Sequence, residues 1–231
     1  MAVSHDTSSE SHTGTTGSTS EASFTWNHPG SASAKEAVVG VFTLADADYI
    51  GTVTYGGVAM TQRAEAADTL NEPLRMTLFD LPACATGTQA VVVNRTNNAT
   101  VMYAICHTVL ASAATEVYAA GIVLLQESQT LAEQNVDDGS PGTNSLRIAF
   151  VGSGLGSAPA AGANSTVGQG INVSAASCRS YYETTPGQGS RPIGASSGTA
   201  DDVAAIHFAI REAPASAAKP RYYYDMMSAA A

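Results

Sequence analysis

The sequence predicts an all-β protein of antiparallel sheets packed as a sandwich, with well under a fifth of its residues helical. Three observations carry this. Short apolar runs of strand length recur along the 231 residues, and the intervals between them are rich in Gly, Pro, Asn, Asp and Ser. No stretch sustains a 3.6-residue apolar period. The clearest local signal is Ile50 to Tyr55, then Gly56-Gly57, then Val58 to Thr61, two extended runs joined by a pair suited to a primed two-residue turn.

Taken in order, residues 1–22 are nearly all Ser, Thr, Gly, His and acidic residues, too poor in apolar surface to offset the entropy of ordering. They are expected to form a flexible arm, ordered only if a neighbouring subunit holds it. Ser23 to His28 alternates and meets Pro29-Gly30, so it reads as a strand with Phe24 and Trp26 inward. Val38 to Leu44 follows, then an Ala-Asp-Ala-Asp break and the Gly-Gly hairpin. Arg63 to Pro73 is polar and expected to be a loop, and Leu74 to Phe79 resumes strict alternation.

Thr88 to Asn94 and Val101 to Leu110, separated by turn-rich residues, predict an antiparallel hairpin with an exposed tip. Thr115 to Leu125 fits a strand or a short helix and is read as a strand. Asp137 to Gly142 is the strongest loop signal, and Leu146 to Val151 is a strand. Residues 152–170 are too rich in Gly and Ala for a regular element, and Ile171 to Ala175, Ser177 to Thr184 and Val203 to Glu212 complete the strands. No internal repeat of fixed period is visible. The expected division is therefore an arm over 1–22, one sandwich domain over 23–213 and a tail over 214–231, with Trp26, Val39, Val41, Val53, Tyr55, Leu78 and Ile206 in one core.

Charge argues against two classes of partner. Ten Lys plus Arg stand against twenty Asp plus Glu, a formal net charge of −10. Such a surface repels phosphate backbones, so nucleic acid is not an expected partner. Only Lys35 and Lys219 are lysines, which leaves no polybasic patch for a membrane surface. No apolar run approaches the roughly 20 residues of a membrane span, and the N-terminus has neither a basic nor an apolar targeting region. A soluble product of the cytoplasm is expected. Cys84, Cys106 and Cys178 lack a C-x-x-C pair and read as buried free thiols, with an intermolecular disulfide as the alternative.

No chemistry can be assembled from the motifs. His5 and His12 fall in the arm, His28 ends a strand, and His107 and His207 sit within apolar runs as hydrogen-bonded sheet residues. No serine is read as an activated nucleophile, and Gly152 to Gly156 lacks the lysine and spacing of a phosphate loop. The close acidic pairs, Asp46 with Asp48, Asp137 with Asp138 and Asp201 with Asp202, read as loop caps or solvated acids, with calcium at a loop a lesser alternative. No catalytic, cofactor-binding or metal-binding residue is therefore named, and no cofactor is expected.

The motifs Phe24-Thr25-Trp26-Asn27-His28, Val53-Thr54-Tyr55-Gly56-Gly57-Val58-Ala59-Met60-Thr61 and Val203 to Arg211 do have a collective likeness. Over about residues 20–213 the chain resembles the jelly-roll β-sandwich modules of tailed-bacteriophage virion proteins and of some bacterial surface proteins. The resemblance implies an antiparallel jelly-roll-like sandwich with extended N- and C-terminal arms. It also implies a non-enzymatic structural role in the virion, as a capsid decoration, neck, tail or fibre component made in the host cytoplasm. Partners would be other virion proteins and further copies in a homo-oligomer, with a host surface glycan as the alternative ligand. Tyr222, Tyr223, Tyr224, Met226 and Met227 follow two prolines and concentrate adaptable side chains, so they are the expected partner-binding residues.

Overall fold

The computed structural model describes residues 3–12, 22–45, 47–68, 74–97, 102–129, 133–138, 145–154, 159–173, 176–196 and 201–213. They form eighteen strands: β1 (Ser4–His12), β2 (Ser23–Pro29), β3 (Ala34–Leu44), β4 (Ile50–Tyr55), β5 (Val58–Ala59), β6 (Thr61–Asp68), β7 (Leu74–Pro82), β8 (Thr88–Arg95), β9 (Met102–Leu110), β10 (Thr115–Gln129), β11 (Gln134–Asp137), β12 (Leu146–Ser153), β13 (Ala160–Ala161), β14 (Ser165–Val173), β15 (Ala176–Glu183), β16 (Ser190–Ile193), β17 (Ala195–Ser196) and β18 (Asp201–Glu212). All pairings are antiparallel, in the expected all-β class.

The strand orders show that one plan is used twice. Strands β1 to β9 make a large sheet, β1-β9-β3-β7-β6, and a small one, β2-β8-β4-β5. Strands β10 to β18 make a large sheet, β10-β18-β12-β15-β14, with the pairs β11-β16 and β13-β17. In each large sheet the first strand lies beside the last, and the last beside the third, which is the crossing order of a jelly roll. In the second half β13 stands where β4 and β5 stand in the first, and β16 with β17 stand where β8 does. The single sandwich expected over 23–213 is thus a tandem pair. No residue period betrays it, because the halves share strand order rather than sequence.

Three apolar clusters follow from this stacking. One, with Val39, Val41, Val53, Tyr55 and Val91, lies between the two sheets of the first half. Another, with Val136, Val151, Tyr181, Ile193 and Val203, fills the second half. The largest joins the two large sheets and contains Val38, Phe42, Leu78, Phe150, Ile206 and Phe208. Sheets covered on both faces need apolar residues at every position, which explains continuous runs such as Ala37 to Phe42. It also corrects the expected core. Val39, Val41, Val53 and Tyr55 belong to the first-half cluster and Trp26 packs against it, whereas Leu78 and Ile206 belong to the shared one.

At the centre of the shared face, glycine and phenylalanine interlock. A Cβ on Gly40 of β3 would lie 2.4 Å from the Phe150 ring of β12, and one on Gly152 of β12 would lie 2.1 Å from the Phe42 ring of β3. Each ring occupies the volume that the opposing glycine leaves empty. At the margins β1 lies over β14, and β6 over β10.

Several further expectations are corrected. Ser4–His12 is not an arm: β1 pairs with β9 along its length, its backbone bonds and polar side chains supplying what apolar burial does not. The loop expected over 63–73 is strand β6 as far as Asp68, where Ala66 points inward and Arg63 and Glu65 pair with Asp80 and Arg75 of β7. Strands β8 and β9 do not form a hairpin. β8 pairs with β2 and β4 in the small sheet, and β9 pairs with β1 and β3 in the large one, as jelly-roll crossing requires. Within 152–170, β14 begins as an edge strand whose register shifts between Val167 and Gly170, and its Gly168 makes room for His107. The turn reads as expected, with Gly56 and Gly57 at φ 58° and 80°. The segment 115–125 is indeed part of strand β10.

Candidate functional site

The polar residues of β1 build the densest side-chain network in the first half. A β-bulge between His5 and Thr7 shifts the alternation by one residue, so that Asp6 and Ser9 reach the same face while His5 lies on the other. On the inner face of the first jelly roll, Thr108 Oγ1 donates to Asp6 Oδ2 at 2.9 Å, and the Ser31 amide donates to the same oxygen at 2.9 Å. Thr108 has one hydroxyl proton, so its contact with His28 Nε2 at 3.0 Å requires His28 to be the donor there. The neutral ring then accepts at Nδ1, from Ser9 Oγ at 2.8 Å, and Ser9 in turn accepts from Trp26 Nε1 at 2.8 Å. The chain runs in one direction, Trp26 to Ser9 to His28, and on through Thr108 to Asp6. It clasps β1 to β2 and β9.

On the opposite face β1 meets the second half. His5 Nε2 lies 3.0 Å from His107 Nδ1, and His107 Nε2 lies 2.7 Å from Ser180 Oγ on β15. The His5 ring stacks on Tyr182 with centroids 3.8 Å apart, and Gln169 Nε2 of β14 donates to the Ser8 carbonyl at 3.2 Å. Burial lowers His5 and His28 to about 4, with the Asp6 charge opposing the shift in both. Burial, with His5 and His28 adding to it, holds His107 well below the usual imidazole range. All three rings are neutral at neutral pH, and both nitrogens of His28 and His107 have protein partners.

A second polar group lies at the β6–β10 margin of the shared face. Glu36 of β3 and Asp80 of β7 are fully buried, and Thr115 of β10 is 4% exposed. Asp80 Oδ1 accepts from Arg63 Nε at 2.7 Å. Burial pushes the Glu36 carboxyl up to about 8, with Thr115 pulling it back and the Asp80 charge adding to the rise.

A third group closes the second half. Arg147, fully buried, donates from Nε to the Val136 carbonyl and from Nη1 to Glu183 Oε2 at 3.0 Å and the Gly187 carbonyl at 3.1 Å. Its Nη2 also bonds the Gly189 carbonyl and pairs with Asp138 at 3.7 Å. Asp138 accepts from Ser145 Oγ at 2.6 Å and from the Gly189 amide. A buried guanidinium with this many partners pins the 184–189 turn to β11 and β12.

These groups differ from the sequence expectations in instructive ways. His5 is no arm residue but a half-buried partner of His107, and Asp138 is a buried ion-pair member rather than a solvated acid. Asp48 does cap its loop, accepting from the Ile50 amide at 2.9 Å. Trp26 is partly buried, stacked on Phe24 with centroids 5.9 Å apart. The three cysteines are buried free thiols. Tyr222, Tyr223, Tyr224, Met226 and Met227, like Asp46, lie outside the described residues. Among the described residues no cluster of three or more His, Cys, Asp or Glu side chains is arranged to hold a metal ion, and no helix is long and apolar enough to cross a membrane. Comparison of the chain with protein-family models, curated proteins and solved structures returned no match.

Proposed function

We propose that this chain is a non-enzymatic structural protein of a bacteriophage virion, a capsid decoration, neck, tail or fibre component working through subunit contacts. The observation that carries the reading is the tandem jelly roll, two modules joined back to back through one apolar face with reciprocal glycine–phenylalanine packing. Jelly rolls recur as capsid modules because closed sheets leave few open edges while the loops stay free for neighbours. The polar networks support the same reading. Ser9, His28, Thr108 and Asp6 have the residue types of a hydrolytic relay, yet the Ser9 oxygen accepts from Trp26 and the network ties three strands together.

The glycan alternative draws less support, since the indole N–H of the sole tryptophan is committed to Ser9. In the proposed role the Tyr222 to Met227 segment docks on a neighbouring subunit. Mass spectrometry of gradient-purified particles tests the proposal. Recovery of the chain at stoichiometry comparable to capsid or tail proteins is expected, and its absence from intact particles overturns the reading.

A further inference from the structure

We propose that Glu36, Asp80 and Thr115 form a binding site for a hard divalent cation of the calcium class, set between the two jelly rolls. Glu36 and Asp80 stand on the same face of adjacent strands. The register places Val38 opposite Asp80 and Glu36 opposite Pro82, so the two acids are diagonal neighbours on the face that meets the second half. Thr115 opens β10 from that second half, and both Thr115 and Asp80 face the Glu36 carboxyl. One site thus draws on β3 and β7 of one module and β10 of the other.

The second observation is independent of the acids' proximity. Both carboxyl oxygens of Glu36, Oδ2 of Asp80 and Oγ1 of Thr115 are buried and make no hydrogen bond of standard geometry among the described residues. Buried oxygens without well-formed hydrogen bonds are costly, and four of them on side chains that act on one another suit a cation that accepts oxygen lone pairs. A hard cation does this for all four together, displacing the proton that Glu36 holds at neutral pH. Calcium takes carboxylate oxygens singly or in bidentate fashion and completes its shell with neutral oxygens and water. The trio contains no His or Cys, so it suits metals that favour oxygen over nitrogen or sulfur. Arg63 bonds Asp80 Oδ1 at 2.7 Å and its charge also acts on Glu36, while Asp80 Oδ2 is left without a bond of its own. The Arg63 side chain is 42% exposed, so it marks the solvent side of the site.

A cation there would clamp the two modules together, whether or not the chain is a virion component. The test uses the full chain stripped with EDTA and titrated with calcium, read by isothermal calorimetry and by thermal unfolding, with magnesium as comparator. One saturable calcium per chain and a raised unfolding temperature are expected in the wild type, with loss of both in Glu36→Gln. Thr115→Val, which keeps both carboxylates, should bind with a higher dissociation constant. No saturable binding to the wild type overturns the proposal. So does binding that is unchanged in both variants, because it would then belong to surface acids. If Glu36→Gln fails to fold, the Thr115→Val titration decides alone, and an unchanged affinity there overturns the site.

Discussion

Gly40 and Gly152 show how much a single missing methyl can settle. Each is a strand residue whose ordinary substitution to alanine would drive a Cβ into the opposing ring of Phe150 or Phe42. Overpacking of a dense core costs about 1–3 kcal/mol. Gly40→Ala and Gly152→Ala should each lower stability by that order in equilibrium denaturation, and unchanged midpoints would mean that the two large sheets do not meet as described. Thr108 makes a comparable case in polar chemistry. Thr108→Val keeps the shape but removes the hydroxyl that receives from His28 and donates to Asp6. Buried partners left unsatisfied cost about 1–3 kcal/mol, and urea titration of Thr108→Val should show a loss in that range.

Strand β1 is the element whose attachment depends most on protonation state. The groups facing His5 of β1 and His28 of β2 are Asp6, Ser9, Tyr55, Tyr182, His107 and Thr108, with Asp6 the only acid among the charges acting on them. His5 and His28 titrate at about 4 in the folded chain against 6.5 as the ordinary value. Between those values the unfolded chain binds more protons than the folded one, so stability rises with pH across that window. The contribution is complete above pH 6.5 and is lost as pH falls toward 4. Unfolding temperature recorded from pH 7 to pH 4 should fall more steeply in the wild type than in His28→Gln. Parallel curves would show that His28 is not held neutral by the fold.

Much of the element pattern was legible in the sequence. Alternation in β2 and β7 and the Gly56-Gly57 turn located strands to within about three residues, since local chain geometry suffices for them. The burial of Glu36 and Asp80 is legible too. Glu36 shares the period-two face of Val38 and Phe42, and Asp80 that of Met76 and Leu78, so alternation alone puts both acids on a core face. The polar strands β1 and β6 gave no such signal. Their order comes from ladder hydrogen bonds, ion pairs and side-chain clasps with residues far along the chain.

At the scale of the whole molecule, the tail and the shared face make opposite predictions. Deleting residues 214–231 should leave the thermal transition intact while abolishing incorporation into particles, if Tyr222 to Met227 dock on a neighbour. Loss of the transition would mean that the tail belongs to the fold. An isolated first half, residues 1–112, should not survive as a soluble monomer, because Phe42, Leu78 and their neighbours would face water. Size-exclusion chromatography of that half as a stable monomer would refute the shared core.

By itself the sequence determined the all-β class, the Gly-Gly hairpin, most strand positions and the acidic surface, because each depends on residues close together in the chain or on composition alone. Only the tertiary structure decided that the strands form two jelly rolls rather than one, that β8 and β9 part into different sheets, and that β1 is a clasped strand. A strand's neighbours in a jelly roll are set by crossings over tens of residues, and a period of two cannot say which of its faces meets which sheet. The same limit hid the joining of Glu36 and Asp80 to Thr115, three residues from two modules that meet only when the large sheets close on each other.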